Sequence, residues 1–351
     1  MKNILKKITC FILAVILMIS CFAIVDNTQA KAAKPIVIVI DPGHGGSNLG
    51  TNYLPIPEKT YTMTVALYMK EQLEKYQNVQ VYLTHTQDID MSLEERAEFA
   101  ANVQADFLLS LHFNMSISHI LYGSEIWVPS TGQLYSQGVS MGNELLMQFG
   151  EMGLFNRGIK TRIGSKDTDY YGILRNCSIR NVPSVIVEHC HVDNINDAAY
   201  IQSPEKLKEF GVRDAEAVAR YFGLVSKDGQ TDYSSYAPLA VPVPASRVYN
   251  DATPPAFVTA NLVNYDKTGK YATVELTAVD GESPIQYYCF SYDNGVTWSP
   301  LQPWDAKQSM ISGNNSMTVT VNMGYSQKES LIFKVYNLYD LNTVSNTLLL
   351  N

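Results

Sequence analysis

The stretch Ile36-Val-Ile-Val-Ile-Asp-Pro-Gly-His-Gly-Gly46 decides the fold. A short, uninterrupted apolar run reads as a strand buried on both faces of a sheet. It stops abruptly at Asp41 and Pro42, and glycines surround His44. A histidine between glycines at the carboxyl end of a buried strand is exposed on a tight loop, where backbone approaches a ligand closely. On its own this loop reads as a Gly-rich phosphate loop, a plain turn or a metal site.

Working outward, further apolar runs at Val79–Leu83, Phe107–Leu111, Ser124–Val128 and Val182–Val187 predict strands. Tyr61, Val65, Tyr68, Leu73 and Tyr76 recur at roughly helical spacing between the first two. Ser92 followed by Glu95 is a capping box, in which each side chain satisfies an unpaired backbone donor of a helix's first turn. Ser203 and Pro204 open the last helix of this region as cap and first helical residue. Strands alternating with helices over residues 34–224 predict an α/β domain, its mainly parallel sheet flanked by helices on both faces. Residues 225–255 break the pattern with Pro238, Pro242, Pro244, Pro254 and Pro255, and read as a Pro-rich linker. From residue 256 to 351 the alternation of half-buried strands predicts a smaller all-β sandwich, with strands at Tyr271–Ala278, Tyr287–Tyr292, Met317–Val321 and Ile332–Tyr336. Asp293-Asn-Gly295 marks a hairpin there, because Asn and Gly tolerate the positive φ of tight turns.

The chemistry gathers at strand ends. Phe107–Leu111 runs into His112, and Val182–Val187 runs into Glu188. If the strands are parallel, both groups reach the edge of the sheet that holds His44. Glu58 opens a helix, where a carboxylate ordinarily favours the helix dipole. The loop from Gly45 to Pro57 must nevertheless return to the sheet edge, which brings Glu58 near His44. Two His and one Glu leave the fourth position of a tetrahedral zinc open to water. Zn2+ lowers the pKa of that water to about 7, and Glu188 stands as the carboxylate that relays its proton to a leaving nitrogen.

Composition bounds the setting. The 351 residues are 46% hydrophobic and 17% charged, enough for two domains with ordinary cores. Lys2, Lys6 and Lys7 precede an apolar run from Ile8 to Val25 and a small, polar stretch, so residues 1–30 read as a secretory signal peptide. An uncleaved membrane anchor and lipidation at Cys21 are the competing readings, and only these would bring membrane contact. The formal charge of −8 falls to near −10 once that segment is removed. Such a balance argues against nucleic acid as a partner. Cys177, Cys190 and Cys289 remain, too few for a disulfide scaffold, with a Cys177–Cys190 bond left open.

The strings Ile40-Asp-Pro-Gly-His-Gly-Gly46, Glu58-Lys59, Ser92-Leu-Glu-Glu-Arg-Ala97 with Asn102, Ser110-Leu-His-Phe-Asn114 and Val187-Glu188 with Asn194 and Asp197 resemble, in order and spacing, the zinc-dependent N-acetylmuramoyl-L-alanine amidases of the amidase-3 family. The resemblance covers roughly residues 35–224. It implies zinc on His44, Glu58 and His112, catalysis by Glu188, and hydrolysis of the amide joining muramic acid to the stem-peptide L-alanine of bacterial peptidoglycan, by an enzyme that is secreted or associated with the cell wall. Two rival readings keep the fold: a wall-binding or activator protein without turnover, and a zinc hydrolase for another peptidoglycan amide. The chain departs from the family at His189-Cys190-His191, where members often read x-Gly-Phe, and at His85, where Arg is usual. Cys190 reads as a small buried side chain rather than a reactive thiol. In the second domain Phe290–Trp298 resembles bacterial immunoglobulin-like modules, and the aromatics Tyr287, Tyr288, Tyr292, Trp298 and Trp304 read as core or cross-strand pairs, with sugar stacking as the alternative.

Overall fold

The apolar runs become a six-stranded sheet in the computed structural model, which describes residues 34–51, 53, 56–305, 315–324 and 330–350. The expected signal segment and Cys21 lie outside them. In chain order the first domain runs β1 (Ile36–Pro42), α1 (Glu58–Leu73), β2 (Val79–Leu83), α2 (Leu93–Asn102), β3 (Phe107–Asn114), β4 (Ser124–Trp127), α3 (Gly132–Glu151), β5 (Asn156–Lys160), α4 (Gly172–Ile179), β6 (Ser184–His191), α5 (Ile195–Ala198) and α6 (Pro204–Phe222). The sheet order is β2-β1-β3-β6-β4-β5. Every neighbouring pair is parallel except β4 and β6, so β4 and β5 run against the other four. The α/β class with helices on both faces is therefore the one its sequence predicts.

Alternation along the strands divides the core in two. Ile38 and Ile40 join the cluster with α1, α3 and α6, among them Val65, Met69, Leu145 and Phe210. Val39, Leu108 and Ile186 face the other way, onto Ala97 and Ala100 of α2 and Leu174 and Cys177 of α4. A strand buried on both faces has no polar positions, which is why these runs show no period of two. Strand β5 and helix α3 were not anticipated. Asn156-Arg-Gly-Ile-Lys160 is too polar to read as a strand, because its Arg and Lys are buried in ion pairs.

Residues 225–256 contain no helix or ladder strand and lie along the first domain. Ser136 and Ser140 of α3 donate to the carbonyls of Pro242 and Leu239, Val248 N donates to Ser130 O, and Ile163 N to Asn250 Oδ1. The strands of the second domain are β7 (Phe257–Asp266), β8 (Tyr271–Val279), β9 (Ile285–Ser291), β10 (Gln302–Pro303), β11 (Asn315–Asn322), β12 (Ser330–Asn337), β13 (Asn342–Val344) and β14 (Leu348–Leu349). They pack a sheet β10-β9-β12-β13, with β14 also paired to β12, against a three-stranded sheet β11-β8-β7. All pairs are antiparallel, and Val274, Leu276, Trp304, Phe333 and Val335 fill the space between the sheets. Asn294 and Gly295 take positive φ of 62° and 87° as expected. The connection is a wide loop rather than a tight turn, because Asp293 folds it back by accepting from the Thr297 backbone and hydroxyl.

Candidate metal centre

Three parallel strands deliver their carboxyl ends to one edge of the sheet. β1 ends at Pro42 and hands over to Gly43 and His44, whose φ of 68° is sustained by a tight loop in which Gly45 and Asn48 exchange backbone hydrogen bonds. β3 and β6 run on past the positions where their sequences suggest an end, so His112 and Glu188 are strand residues rather than loop residues. The reason is visible in the next side chains: Phe113 and Cys190 alternate back into the main core and keep the strands going. His112, Glu188 and Glu125 stand in register across β3, β6 and β4.

The loop after Gly46 brings Glu58 back as expected, with Glu58 N donating to Thr51 O and Lys59 N to Leu49 O. Glu58 Oε2 lies 3.0 Å from His44 Nε2, Glu58 Oε1 3.2 Å from His112 Nδ1, and the two ring nitrogens 3.2 Å apart. One ligand atom from each residue falls within 4.8 Å of the others. Two imidazole nitrogens and a carboxylate turned toward one point need a cation among them, proton or metal. Burial works to raise the Glu58 carboxyl, but the bonds to His112 and His44 outweigh it and hold it well below the ordinary range. Burial works to lower His44, and Glu58 outweighs it so that His44 is raised.

The outer atoms are also fixed. His44 Nδ1 is 3.0 Å from Asn48 Oδ1, and His112 Nε2 is 3.3 Å from Ser110 Oγ, whose hydroxyl donates to Asp41 Oδ2. Asp41 also accepts from Thr84 Oγ1 and from Arg96 Nη1. Arg96 reaches on to the carbonyls of Pro42 and His44, tying the start of α2 to the loop that carries the first imidazole. Partners of this kind leave the inward nitrogens free to ligate. Glu58 is held in turn by the backbone N–H groups of Thr51 and Phe113.

Glu188 lines the same cleft, of about 690 Å³, with His44, Glu58 and His112. Its Oε2 is buried with no hydrogen-bond partner among the described residues. Burial, then the charges of Glu58 and Glu125, push its carboxyl well above the ordinary range. Glu125 itself is held well below that range: burial opposes this, but Lys160 and Arg157, at 2.6 and 2.8 Å, prevail.

The unusual run beside Glu188 is packed. His189 sits between His112 O and Asp214 Oδ2, each 2.9 Å from a ring nitrogen, and stacks on Phe113. Cys190 is buried, and burial pushes its thiol far up. Cys177 and Cys289 are likewise buried and free, so no Cys177–Cys190 bond forms. His191 is buried against Gly123 O. His85 is buried beside Thr84, and His119 pairs with Asp193 at 2.7 Å. Asn114 turns its amide to Glu125 Oε1. The sequence assigns no role to Glu125 or Asn48, and shows Arg96 only as part of the Ser92–Ala97 string. A lone charge inside the apolar run Ser124–Val128 was the signal for Glu125, since a buried charge demands partners.

The chain is similar to known proteins. The family model for Amidase_3, N-acetylmuramoyl-L-alanine amidase, matches residues 38–220. The chain is 30% identical over 191 residues to the N-acetylmuramoyl-L-alanine amidase CwlM of Bacillus licheniformis, covering 54% of this chain and 70% of that one. It is 32% identical over 217 residues to the amidase LytC of Bacillus subtilis, covering 59% of this chain and 40% of that one. Among solved structures, Cwp6 from Clostridium difficile superposes with a TM-score of 0.50 at 30% identity, over 57% of this chain and 30% of that one. With more than half its length matched by the family model, the chain belongs to the N-acetylmuramoyl-L-alanine amidase family Amidase_3.

Proposed function

We propose that this protein hydrolyses the amide between N-acetylmuramic acid and L-alanine in bacterial peptidoglycan, with zinc on His44, Glu58 and His112 and with Glu188 as catalytic carboxylate. The observation that carries the reading is the convergence of one carboxylate and two imidazoles within 4.8 Å on the floor of a cleft that Glu188 also lines. The donor set suits zinc: two neutral nitrogens and one carboxylate oxygen, each oriented by an outer partner. When bound, zinc lowers the pKa of a coordinated water and polarises the amide carbonyl. Glu188 takes the proton of the attacking water and delivers it to the leaving L-alanine nitrogen. Burial and the charges of Glu58 and Glu125 raise its proton affinity, and a nearby dication would work in the opposite sense. Residues 34–224 form the catalytic domain in this reading, 225–255 the connection and 256–351 an immunoglobulin-like β domain. The setting is extracellular or wall-associated, reached through the N-terminal signal segment. Among the described residues no helix is long and apolar enough to cross a membrane.

The test is mass spectrometry of fragments released from purified peptidoglycan. Stem peptides with a free L-alanine amine are expected from the zinc-loaded protein. Glu188→Gln should lower turnover at least a hundredfold while zinc content, measured by atomic absorption, stays near one per chain. Fragments cut within the stem would replace the substrate assignment, and undiminished cleavage by Glu188→Gln would overturn the mechanism.

A further inference from the structure

A second cleft, of about 670 Å³, adjoins the metal cleft, and Met115 and Tyr171 line both. One wall belongs to the first domain, with Asn114, Glu125, Arg157 and Arg162. The other belongs to the turn between β12 and β13, with Tyr339, Asp340 and Leu341. This wall is fixed in place. Asp340 Oδ2 accepts from Arg157 Nη2 at 2.7 Å, the Tyr339 hydroxyl accepts from Thr161 N at 3.2 Å, and Leu338 fills the space where Gly158 lacks a side chain.

The charges in the second cleft are unequal in what they have left to offer. Glu125 is spent on Arg157, Lys160 and Asn114. Asp251 is spent on Ser283 and Asn337. Asp340 gives Oδ2 to Arg157 and keeps Oδ1 buried without a hydrogen-bond partner among the described residues. Arg162 is exposed, lies beside Tyr171, and holds its guanidinium 3.9 Å over the Tyr170 ring. The carboxylates of Asp167 and Asp169, on the same loop, pair with Arg247 instead, and no ion pair of Arg162 is found among the described residues. A guanidinium laid over one aromatic ring and hydrogen-bonded to a second tyrosine, with further N–H donors and no carboxylate partner, suits a ligand carboxylate.

Resting on the amidase reading above, we propose that the interdomain cleft is the subsite for the stem peptide beyond the scissile amide, with Arg162 binding one peptide carboxylate and the β-domain turn closing the far side. The β domain then takes part in substrate selection. The test uses muramoyl tripeptides that begin with L-alanine and in which each carboxylate is amidated in turn, with kcat/KM measured for each. In the wild-type protein one amidation should lower kcat/KM about tenfold or more, the effect of losing one charge-assisted hydrogen bond. Arg162→Ala should bring that ratio close to one, and Arg162→Lys should keep part of it. Leu341→Glu sets a like charge on the opposite wall and should also shrink the ratio. Equal cleavage of the whole series by the wild type, or a ratio that survives Arg162→Ala, overturns the subsite while leaving the amidase reading intact. Failure of the wild type to cleave any member overturns the amidase reading itself.

Discussion

Gly50 lacks a side chain because Glu58 and His44 occupy the place one would take. A Cβ there would lie 2.5 Å from Glu58 Oε2 and 2.6 Å from His44 Cδ2, at a φ of +70° that already disfavours any L-residue. Gly50→Ala should therefore displace two proposed ligands at once and weaken zinc binding about ten- to a hundredfold. Competition with a chromogenic chelator measures this, and an unchanged affinity would show that the loop yields freely. A different residue sets the acid response. Burial, then the charge of Arg157, lower His191 from its ordinary 6.5 to about 4. Between those pH values the unfolded chain binds a proton that the folded chain refuses, so stability rises with pH through this window. Below about pH 4 the loss is complete, about 3 kcal/mol if His191 acts alone. His191→Asn keeps a donor for Gly123 O and removes the titration. Urea unfolding from pH 4 to 6.5 should show a flatter dependence for the variant, by up to one proton.

At the scale of elements, α2 joins a local signal to the site. Ser92 and Glu95 form the reciprocal capping box read from the sequence, with Ser92 N donating to Glu95 Oε2 and Glu95 N to Ser92 Oγ. The cap fixes where the helix begins, and hence where Arg96 enters to bind Asp41 at 2.8 Å. Ser92→Ala should cost about 1 kcal/mol. Arg96→Met should cost about 3–5 kcal/mol, because Asp41 would stay buried with a charge and only hydroxyl partners. Chemical denaturation of both variants checks the order, and equal losses would mean that the Arg96–Asp41 pair contributes little beyond the helix it anchors. The cap was legible because its partners are three residues apart. The role of Arg96 was not, since Asp41 lies 55 positions earlier.

Across the whole molecule the decisive feature is the buried junction between the two domains. Arg157 binds Glu125 on one side and Asp340 on the other, and donates to the Tyr287 hydroxyl at 3.2 Å. Around it Tyr122 and Phe155 pack on Tyr287, with ring centroids 5.1 and 4.7 Å away. Tyr287, which reads from sequence as core or cross-strand packing, is buried in this junction, and Trp304 is buried within the sandwich. Asp340→Asn should destabilise the protein by about 2 kcal/mol, less than a fully buried pair because Asp340 is partly exposed. A urea midpoint unchanged by Asp340→Asn would show that the aromatic packing alone holds the domains together.

The sequence by itself determined β1, β3 and β6 and the sheet edge they share. Apolar runs followed by His44, His112 and Glu188 specify a parallel sheet with chemistry at one end, because burial on both faces leaves a strand no polar residue until it emerges. Glu58 was legible through the length of its loop. Only the tertiary structure decided how these groups are held and what surrounds them. The support of His112 by Ser110 and Asp41, the register that sets Glu125 beside Glu188, and the placing of Tyr339 and Asp340 against Arg157 and Thr161 all join residues distant in the chain. A buried charge announces in sequence only that it needs a partner. Which partner it finds is fixed by packing, and here that packing makes the second domain a wall of the cleft beside the candidate metal centre.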